Sequence, residues 1–504
     1  MKKQLLFLFL TTIFVTSSVL VSAQDFVGSD ACLDCHSEQF GLWEASGHPY
    51  KFTIIEDGQP PVYPVEAVNF QDSWMENLGE GNLTWNAIAG VIGGYGWKAR
   101  FVGLDGHIVG TAGSAYSTGY GHNQFNFYGG EDHGWVDYHP ADEKIYNYSC
   151  FKCHTTGGDT TGTWLSEVEG LGNFTEGGVG CEGCHGPGSD HITGPTAANI
   201  DRVYEFAHQD NSLGGLEIDG VVQTPDPDSD DVNFLCGTCH NRDYKSPINA
   251  KGGFIKHHEQ WDEFVTTQHY DAGFDCILCH SPHKRVIWDG DGIKMTCGSC
   301  HADQVAHIDH NGDATCIDCH MPFAAKSGTT RGQSGYKGDV RSHLFTIIPD
   351  TASMFIADGS FVRDDEDRPA ALSPAYSCLG CHNDDPDDDI PDKTLEEAAE
   401  QAAGMHNETS IAENFSISFG VSPNPTFGPT KINFTLPNAE VIELDIYNVS
   451  GQVVYSINEN KSAGAQTISW NGQSNTGAVI KAGYYFVKVS AGNLSSVEKL
   501  VLIK

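Results

Sequence analysis

Every cysteine of this chain lies in a Cys-x-x-Cys-His unit, and none is left over. With 23 histidines among 504 residues, chance would place a histidine after all eight pairs with a probability of roughly 10⁻¹¹. Disulfide pairing would not explain why a histidine follows every cysteine pair. A zinc site would need thiolates from two units, and it would not explain the eight histidines either. The eight units begin at Cys32, Cys150, Cys181, Cys236, Cys276, Cys297, Cys316 and Cys378.

The spacing within each unit is typical of covalently attached haem c. Two thiols add across the two vinyl groups of a haem, and two intervening residues on a helical turn let both sulfurs reach them. The next residue then directs its imidazole at the iron as the proximal ligand. We therefore expect eight covalent haems c. The expected anchors are Cys32, Cys35, Cys150, Cys153, Cys181, Cys184, Cys236, Cys239, Cys276, Cys279, Cys297, Cys300, Cys316, Cys319, Cys378 and Cys381. The expected proximal ligands are His36, His154, His185, His240, His280, His301, His320 and His382.

Fifteen histidines lie outside the units, enough to give every iron a second imidazole. His283 follows His280 by three residues and cannot fold back to the same iron, so it would serve a neighbouring haem. One of the adjacent His257 and His258 is expected to bind. His406 is a weaker candidate, because it lies in a predicted linker. The second ligands that we predict are His48, His191, His258, His269, His283, His310 and His343.

The spacing between units also predicts how the core is built. Cys276, Cys297 and Cys316 follow one another after 21 and 19 residues, so neighbouring haems must lie close, stacked or edge to edge. Apolar residues make up 39% of the chain, against a norm of roughly 45–50%. We expect short helices and irregular loops around stacked haems, with the haems replacing much of the apolar core.

Several segments resemble known multihaem cytochromes. The stretches CFKCHTTG at 150–157, GVGCEGCHGPGSDH at 178–191 and GSDACLDCH at 28–36 are similar to the family related to the tetrahaem electron acceptor of hydroxylamine oxidoreductase. HSPH at 280–283 and CIDCHMP at 316–322 resemble the wider nitrite-reductase-like multihaem group. The resemblance covers about residues 30–390. It implies that the second ligands include His48, His191, His283 and His343.

The 118-residue gap between the first two units holds an insertion, residues 54–145, rich in glycine and aromatic residues. Residues 97–102 and 107–109 flank Asp105-Gly106, a hairpin signal. We therefore expect a small β subdomain beside the haems. The octahaem cytochrome domain is predicted to span 24–385. An acidic linker with one short helix is predicted over 386–414.

From residue 415 cysteine disappears and apolar and polar residues alternate. This pattern predicts a separate β-sandwich over 415–504. A generic immunoglobulin-like module would account for the strands. The details SPNP at 422–425, YNVSG at 447–451, WNG at 470–472 and GYYF at 483–486 resemble the C-terminal sorting domain of the type IX secretion system of Bacteroidota. That resemblance implies passage across the outer membrane, removal of the domain and attachment at the cell surface, with the secretion machinery as a partner.

Two further features bear on location and partners. Residues 1–23 have the charged start, apolar stretch and small-residue end of a cleaved signal peptide, so we expect no transmembrane segment in the mature chain. The formal charge is −39, which would repel nucleic acid and favour basic partners. We expect a secreted protein, extracellular or attached to the cell surface.

Three functions remain open at this stage. The first is electron transfer to redox partner proteins or extracellular acceptors, with every iron closed by two histidines. The second is a reductase or oxidase of nitrite, hydroxylamine or tetrathionate, which needs one open iron. The third is a subunit of a homo-oligomer or conducting filament. We favour electron transfer, because no unit ends in lysine and the free histidines suffice to close every iron.

Overall fold

The computed structural model describes most of the chain. The described residues are 25–64, 75, 77–80, 83–117, 119, 121–127, 134–200, 216–218, 221–223, 232–241, 247–286, 292–301, 304, 310, 314–331, 335–383, 389–406, 418–436, 438–448, 452–491 and 494–503. The predicted signal peptide lies outside them. Among the described residues, no helix is long and apolar enough to cross a bilayer.

The first part of the chain is built from short helices. The α-helices are α1 (Ser37–Glu44), α2 (Tyr148–Phe151), α3 (Glu182–His185), α4 (Ser189–Thr193), α5 (Val232–Gly237), α6 (Gln260–Phe264), α7 (Gln268–Asp271), α8 (Cys276–Cys279), α9 (Cys316–His320), α10 (Pro374–Ser377) and α11 (Leu395–Gly404). Single 3₁₀ turns form at Ser29–Cys32, Leu78–Glu80, Trp85–Ala87 and Cys297–Ser299. Four units, which begin at Cys181, Cys276, Cys297 and Cys316, thus coincide with a helical turn, a geometry that suits attachment of two thiols to one haem.

The insertion folds as an antiparallel sheet. Its strands are β1 (Phe52–Ile54), β2 (Ile88–Gly93), β3 (Lys98–Gly103), β4 (Gln124–Asn126) and β5 (Gly134–Val136), paired in that order. After β3 the chain turns at Asp105 and Gly106, with Gly106 at φ 78°, and Val102 pairs with Ile108. The predicted β subdomain is present, and its first strand begins at Phe52. The sheet carries Lys98 and Arg100 on one face of β3, since they are two residues apart.

Two further strand pairs and one three-stranded sheet lie among the helices of the described residues. β6 (Thr155–Thr156) pairs with β7 (Glu176–Gly177), and β8 (Leu216–Ile218) pairs with β9 (Val221–Gln223). β10 (Ala250–Lys251), β11 (Phe254–Lys256) and β12 (Ala325–Lys326) form a three-stranded sheet. The buried residues of this sheet pack with those of α10 and with Ala398 of α11. The described first part therefore includes α11, which packs against this sheet, while the predicted domain boundary at residue 385 stays a prediction.

Helix α11 has a clear start signal. The Thr394 hydroxyl accepts the Glu397 N–H while the Glu397 carboxylate accepts the Thr394 N–H. This reciprocal capping box satisfies two of the N–H groups that a helix start leaves unpaired. Ala398 and Ala399 are buried on the inner face, so the helix that the sequence predicts in the linker is packed against the first part.

The C-terminal part is a β-sandwich. One sheet has the order β13-β14-β17 and the other β16-β15-β18-β19. The burial of β14 alternates strictly along seven residues, because successive side chains of a strand point to opposite faces. The predicted strands are present, and one further strand precedes them. The strands are β13 (Ser418–Ser422), β14 (Thr430–Leu436), β15 (Glu440–Asn448), β16 (Val453–Lys461), β17 (Gly464–Trp470), β18 (Gly483–Ala491) and β19 (Leu494–Leu502).

Candidate haem sites

The backbone of each unit places its side chains for one cofactor. In six units the histidine N–H donates to the carbonyl of the first cysteine four residues earlier, at 2.9–3.0 Å. That bond closes one helical turn, so the two sulfurs lie on one side and the imidazole follows directly. These six histidines are His36, His185, His240, His280, His301 and His382. No cysteine is in a disulfide.

Six of the unit histidines face a histidine from outside the units. A ring nitrogen binds a metal at about 2 Å and lies about 1 Å from its ring centre, so two imidazoles that share one iron have centres roughly 6 Å apart. The observed separations of 5.8–6.2 Å match this value. The facing rings are His36 and His191, His185 and His283, His280 and His343, His301 and His269, His382 and His310, and His320 and His406.

Hydrogen bonds at the second ring nitrogen orient three of these imidazoles. Nδ1 of His320 lies 2.7 Å from the Phe345 carbonyl, and Nδ1 of His382 lies 2.7 Å from the Pro391 carbonyl. Nδ1 of His191 lies 3.0 Å from a backbone carbonyl as well. A carbonyl accepts a hydrogen bond from Nδ1–H, so the proton stays on Nδ1 and the lone pair of Nε2 is left for a metal. The described residues around these pairs therefore fit an iron held between two imidazoles.

The two remaining unit histidines, His154 and His240, have a different environment. Neither has a histidine ring at that spacing among the described residues. His48 is buried, and its pKa is lowered to about 3 by burial, with smaller contributions from Lys51 and His240. His258 is buried between His240 and His154, and burial lowers its pKa well below the usual range. The structure therefore groups His48 and His258 around these two units.

Lys51 lies near both His240 and His154, and Lys98 adds a second cation beside His154. The pKa of His154 is lowered to about 4, first by burial and then by Lys51 and Lys98. Lys98 Nζ donates to the Ser327 carbonyl at 2.9 Å and lies 3.5 Å from Nε2 of His257. On the other side, the Tyr146 hydroxyl lies 3.5 Å from Nδ1 of His154. A neutral imidazole is the metal-binding form, so the site is prepared for iron and carries excess positive charge.

Neighbouring units touch one another. Cys32 lies against Cys181, Cys153 against Cys239, and Cys297 against Cys316. The Asn233 side chain on α5 accepts the Cys276 N–H at 2.8 Å, which joins the fourth unit to the fifth. Three further neighbours are Cys184 with Cys236, Cys279 with Cys297, and Cys319 with Cys381. These contacts, together with the three pairs that are close enough to influence each other's pKa, order the units as one, three, four, five, six, seven and eight, with unit two beside unit four.

The histidines predicted as second ligands fall into two groups. Five of them, His191, His269, His283, His310 and His343, face a unit histidine. His48 and His258 lie near His154 and His240 instead. His406 was a weaker candidate, yet its ring lies 5.8 Å from that of His320. The capping residues Thr394 and Glu397, which start the helix just before His406, could have indicated that this segment is ordered.

Two family models match parts of the chain. The family described as "Cytochrome c554 and c-prime" matches residues 129–186, which hold the second and third units. This match implies covalent haem c. The family described as "FlgD Ig-like domain" matches residues 423–495. The C-terminal part is therefore an immunoglobulin-like domain, as the strand pattern predicts.

One curated relative is the dissimilatory sulfite reductase MccA of Wolinella succinogenes, 26% identical over 223 residues. The match covers 38% of this chain and 29% of the relative, so the chain spans less than a third of that relative's length. Among solved structures, the outer cell wall cytochrome OcwA is 18% identical, with a TM-score of 0.36 over 64% of this chain and 80% of that one.

The immunoglobulin-like domain has its own structural neighbour. PorZ of Porphyromonas gingivalis, described as a surface component of the type-IX secretion system, is 18% identical. The match covers 17% of this chain and 12% of that one, with a TM-score of 0.14.

Proposed function

We propose that the chain is an extracellular octahaem c-type cytochrome that transfers electrons through eight covalently bound haems. The observation that carries the proposal is the set of six histidine pairs with ring centres 5.8–6.2 Å apart. Each pair joins one unit histidine to one histidine from elsewhere in the sequence. An iron held by two imidazoles has no open position for a substrate and is suited to electron transfer.

The contacts between units suggest the route of the electrons. Units one, three, four, five, six, seven and eight follow one another, and unit two branches from unit four through Cys153 and Cys239. The proposed second ligands along the route are His191, His283, His343, His269, His406 and His310, with His48 assigned to His240. Redox partner proteins or extracellular acceptors would exchange electrons at the ends of this route.

The location follows from both ends of the sequence. A cleaved signal peptide over 1–23 would export the chain, and covalent attachment of haem takes place after export. The immunoglobulin-like domain at 423–495 would serve as a type IX sorting domain, recognised by that secretion machinery. The formal charge of −39 favours basic partners and disfavours nucleic acid.

The test is a haem count combined with a ligation assay on the purified, haem-loaded protein. Mass spectrometry should give eight covalent haems, and EPR should show low-spin iron at the six paired sites. His406→Ala tests the least expected pair and should convert one iron to a high-spin form that binds carbon monoxide. His139→Ala, on an exposed histidine in the insertion, is the matched control and should change nothing. Six open sites in the unmodified protein would overturn the proposal.

A second candidate function rests on the environment of His154. Among the described residues no histidine ring stands at ligating distance from His154, and Lys51 and Lys98 lie near it. An iron there would have an open position beside two cations, an arrangement that could bind a small oxoanion. The chain would then reduce nitrite, hydroxylamine, tetrathionate or, by analogy with the relative named above, sulfite. The other haems would feed electrons to that site.

Carbon monoxide separates the two candidates. If every iron stays low-spin and unaffected, the protein is a pure electron carrier, with His258 closing the iron at His154. If one haem binds carbon monoxide, the variant Lys51→Met should lower the affinity of that site for sulfite or nitrite about tenfold or more. Lys152→Met, on the second unit itself, is the control for a general loss of charge.

A further inference from the structure

The outer face of the C-terminal sandwich rests on the sixth Cys-x-x-Cys-His unit. Lys488 Nζ, on β18, donates to the Ser299 carbonyl at 2.7 Å, within the turn that holds Cys297 and Cys300. Phe486, two residues earlier on the same face, meets Phe274 edge to face with ring centres 5.0 Å apart. Two side chains of one strand thus hold the two parts of the chain together.

The burial of Phe486 shows that this contact is substantial. Its neighbours Tyr485 and Val487 point into the sandwich core, so Phe486 points outward, because side chains alternate along a strand. Phe486 is nevertheless only 7% exposed and is not among the residues of the sandwich core. An outward aromatic ring that is buried must be covered from outside its own sheet, and here Phe274 covers it.

The residues paired with Phe486 on the two neighbouring strands extend the contact between the sandwich and the first part. Tyr447 and Lys499 lie opposite Phe486 on the two adjoining strands. The Lys499 ammonium packs so closely over Gly273 that a side chain at Gly273 would collide with it. Tyr447 lies near Cys300: its pKa is raised first by burial and by Asp445, and Cys300 makes a smaller contribution. We call Phe486, Lys488 and Lys499 the cap face.

The cap face lies directly over one histidine pair. Phe274 contacts the ring of His269 at 5.6 Å between centres, and His269 faces His301 at 5.9 Å. The order from the outside inward is Phe486, Phe274, His269 and His301. The sandwich therefore covers the side of this pair that carries the second ligand.

We propose that the C-terminal sandwich caps the haem bound at Cys297, Cys300 and His301, and that displacing or removing the sandwich opens this haem to bulky extracellular acceptors. This inference rests on the proposed electron-transfer function. Two packed sheets are about 10 Å from centre to centre, so the capped haem is held at least that much farther from a particle or protein that cannot enter the contact. A small soluble oxidant reaches other haems and is not excluded.

The experiment uses the full haem-loaded chain and the double variant Phe486→Ala/Lys488→Glu. Lys431→Glu is the matched control, because Lys431 is an exposed lysine on the other sheet of the sandwich. Two measurements are made on the three proteins. One is hydrogen exchange of peptides covering 268–275 and 297–301. The other is the rate at which the reduced protein passes electrons to iron(III) oxide nanoparticles, with ferricyanide as the small oxidant.

We expect the double variant to speed hydrogen exchange in both peptides and to raise the nanoparticle rate about tenfold, with the ferricyanide rate within about twofold of the unmodified protein. Lys431→Glu should leave the hydrogen exchange, the nanoparticle rate and the ferricyanide rate unchanged. If hydrogen exchange is unchanged in the double variant, the sandwich does not cap this haem. If exchange is faster but the nanoparticle rate is unchanged, the cap exists but does not limit electron transfer. If no protein reduces ferricyanide, the proposed function fails, while hydrogen exchange still decides whether the cap exists.

Discussion

The apolar core is organised differently in the two parts of the molecule. In the C-terminal sandwich, fifteen buried residues form one continuous apolar cluster between two sheets. In the first part, the described buried apolar residues fall into separate clusters, one beside β10–β12 and others in the insertion and near Trp261. We expect the haems at the histidine pairs to fill space between those clusters. The difference indicates that the sandwich folds on its own side chains, whereas the first part needs its cofactors to complete its core.

Producing the protein without haem should have the largest effect, because it should unfold the first part and leave the sandwich folded. Without covalent haem, the first part loses the groups that fill the spaces between its clusters, so residues 25–406 should not reach a packed state. The sandwich should fold in either case. Limited proteolysis of protein made with and without the haem-attachment machinery, followed by mass spectrometry, should leave only a fragment from about 418 to 503 in the haem-free sample. A protease-resistant first part without haem would contradict this contrast.

A cavity in the sandwich core should have a large effect on that part alone. Trp470 is 1% exposed, and its indole N–H donates to the Gln473 carbonyl at 2.8 Å. Trp470→Ala should lower the free energy of unfolding of the sandwich by about 3–5 kcal/mol, while the haem absorption spectrum stays the same. Phe427→Ala is the control, because Phe427 is 78% exposed and should change stability by less than about 0.5 kcal/mol. Denaturant titration measures both, with far-ultraviolet circular dichroism reporting the β-sandwich and haem absorbance reporting the first part.

A buried carboxyl should make the stability of the first part depend on pH. Burial raises the pKa of Glu263 to about 8, against the opposing effect of the Ser342 hydroxyl and the His343 N–H, which donate to it. A raised pKa means that the folded state holds the proton more tightly. The associated stability is complete below the unfolded pKa of about 4.5 and is lost as the pH rises to about 8, at up to about 1.4 kcal/mol per pH unit.

The variant Glu263→Gln should therefore reduce the slope of the stability profile of the first part between pH 4.5 and 8. A slope should remain, because burial also raises the pKa of Asp262, to about 9. The matched control is Glu443→Gln, on the exposed face of the sandwich. It should leave the profile unchanged. Thermal unfolding followed by haem absorbance at several pH values makes the measurement. An equal slope in the Glu263→Gln protein would show that another group carries the pH dependence.

The sequence predicts the sandwich better than the haem-bearing part. Strict alternation along β14 fixes which residues face inward. Among the described strands of the sandwich, the prediction missed β13, a short run next to two prolines. Regular periodicity is absent from the first part, where most helices have four or five residues. The spacing of cysteine and histidine could be predicted, because attachment chemistry acts locally on one turn of helix.

The pairing of histidines is a long-range property, and the sequence could say little about it. His283 could be excluded from the iron of His280 by distance along the chain, but nothing in the sequence identified His185 as the residue it faces. His406 was underrated for a related reason. The acidic, proline-containing stretch before it is typical of a linker, whereas burial of Ala398 and Ala399 in α11 holds the following residues against the first part.

The smallest expected effect tests the junction between the two parts. Thr394→Ala removes the hydroxyl that caps α11 and should cost about 1 kcal/mol of local helix stability. Because His406 lies just beyond this helix and faces His320, looser capping should let His406 leave more often, and a few per cent of one iron should become able to bind carbon monoxide. Thr394→Ser keeps a capping hydroxyl and should restore the unmodified behaviour. If Thr394→Ala lowers stability without any carbon monoxide binding, α11 belongs to the first part but does not hold His406 on the iron.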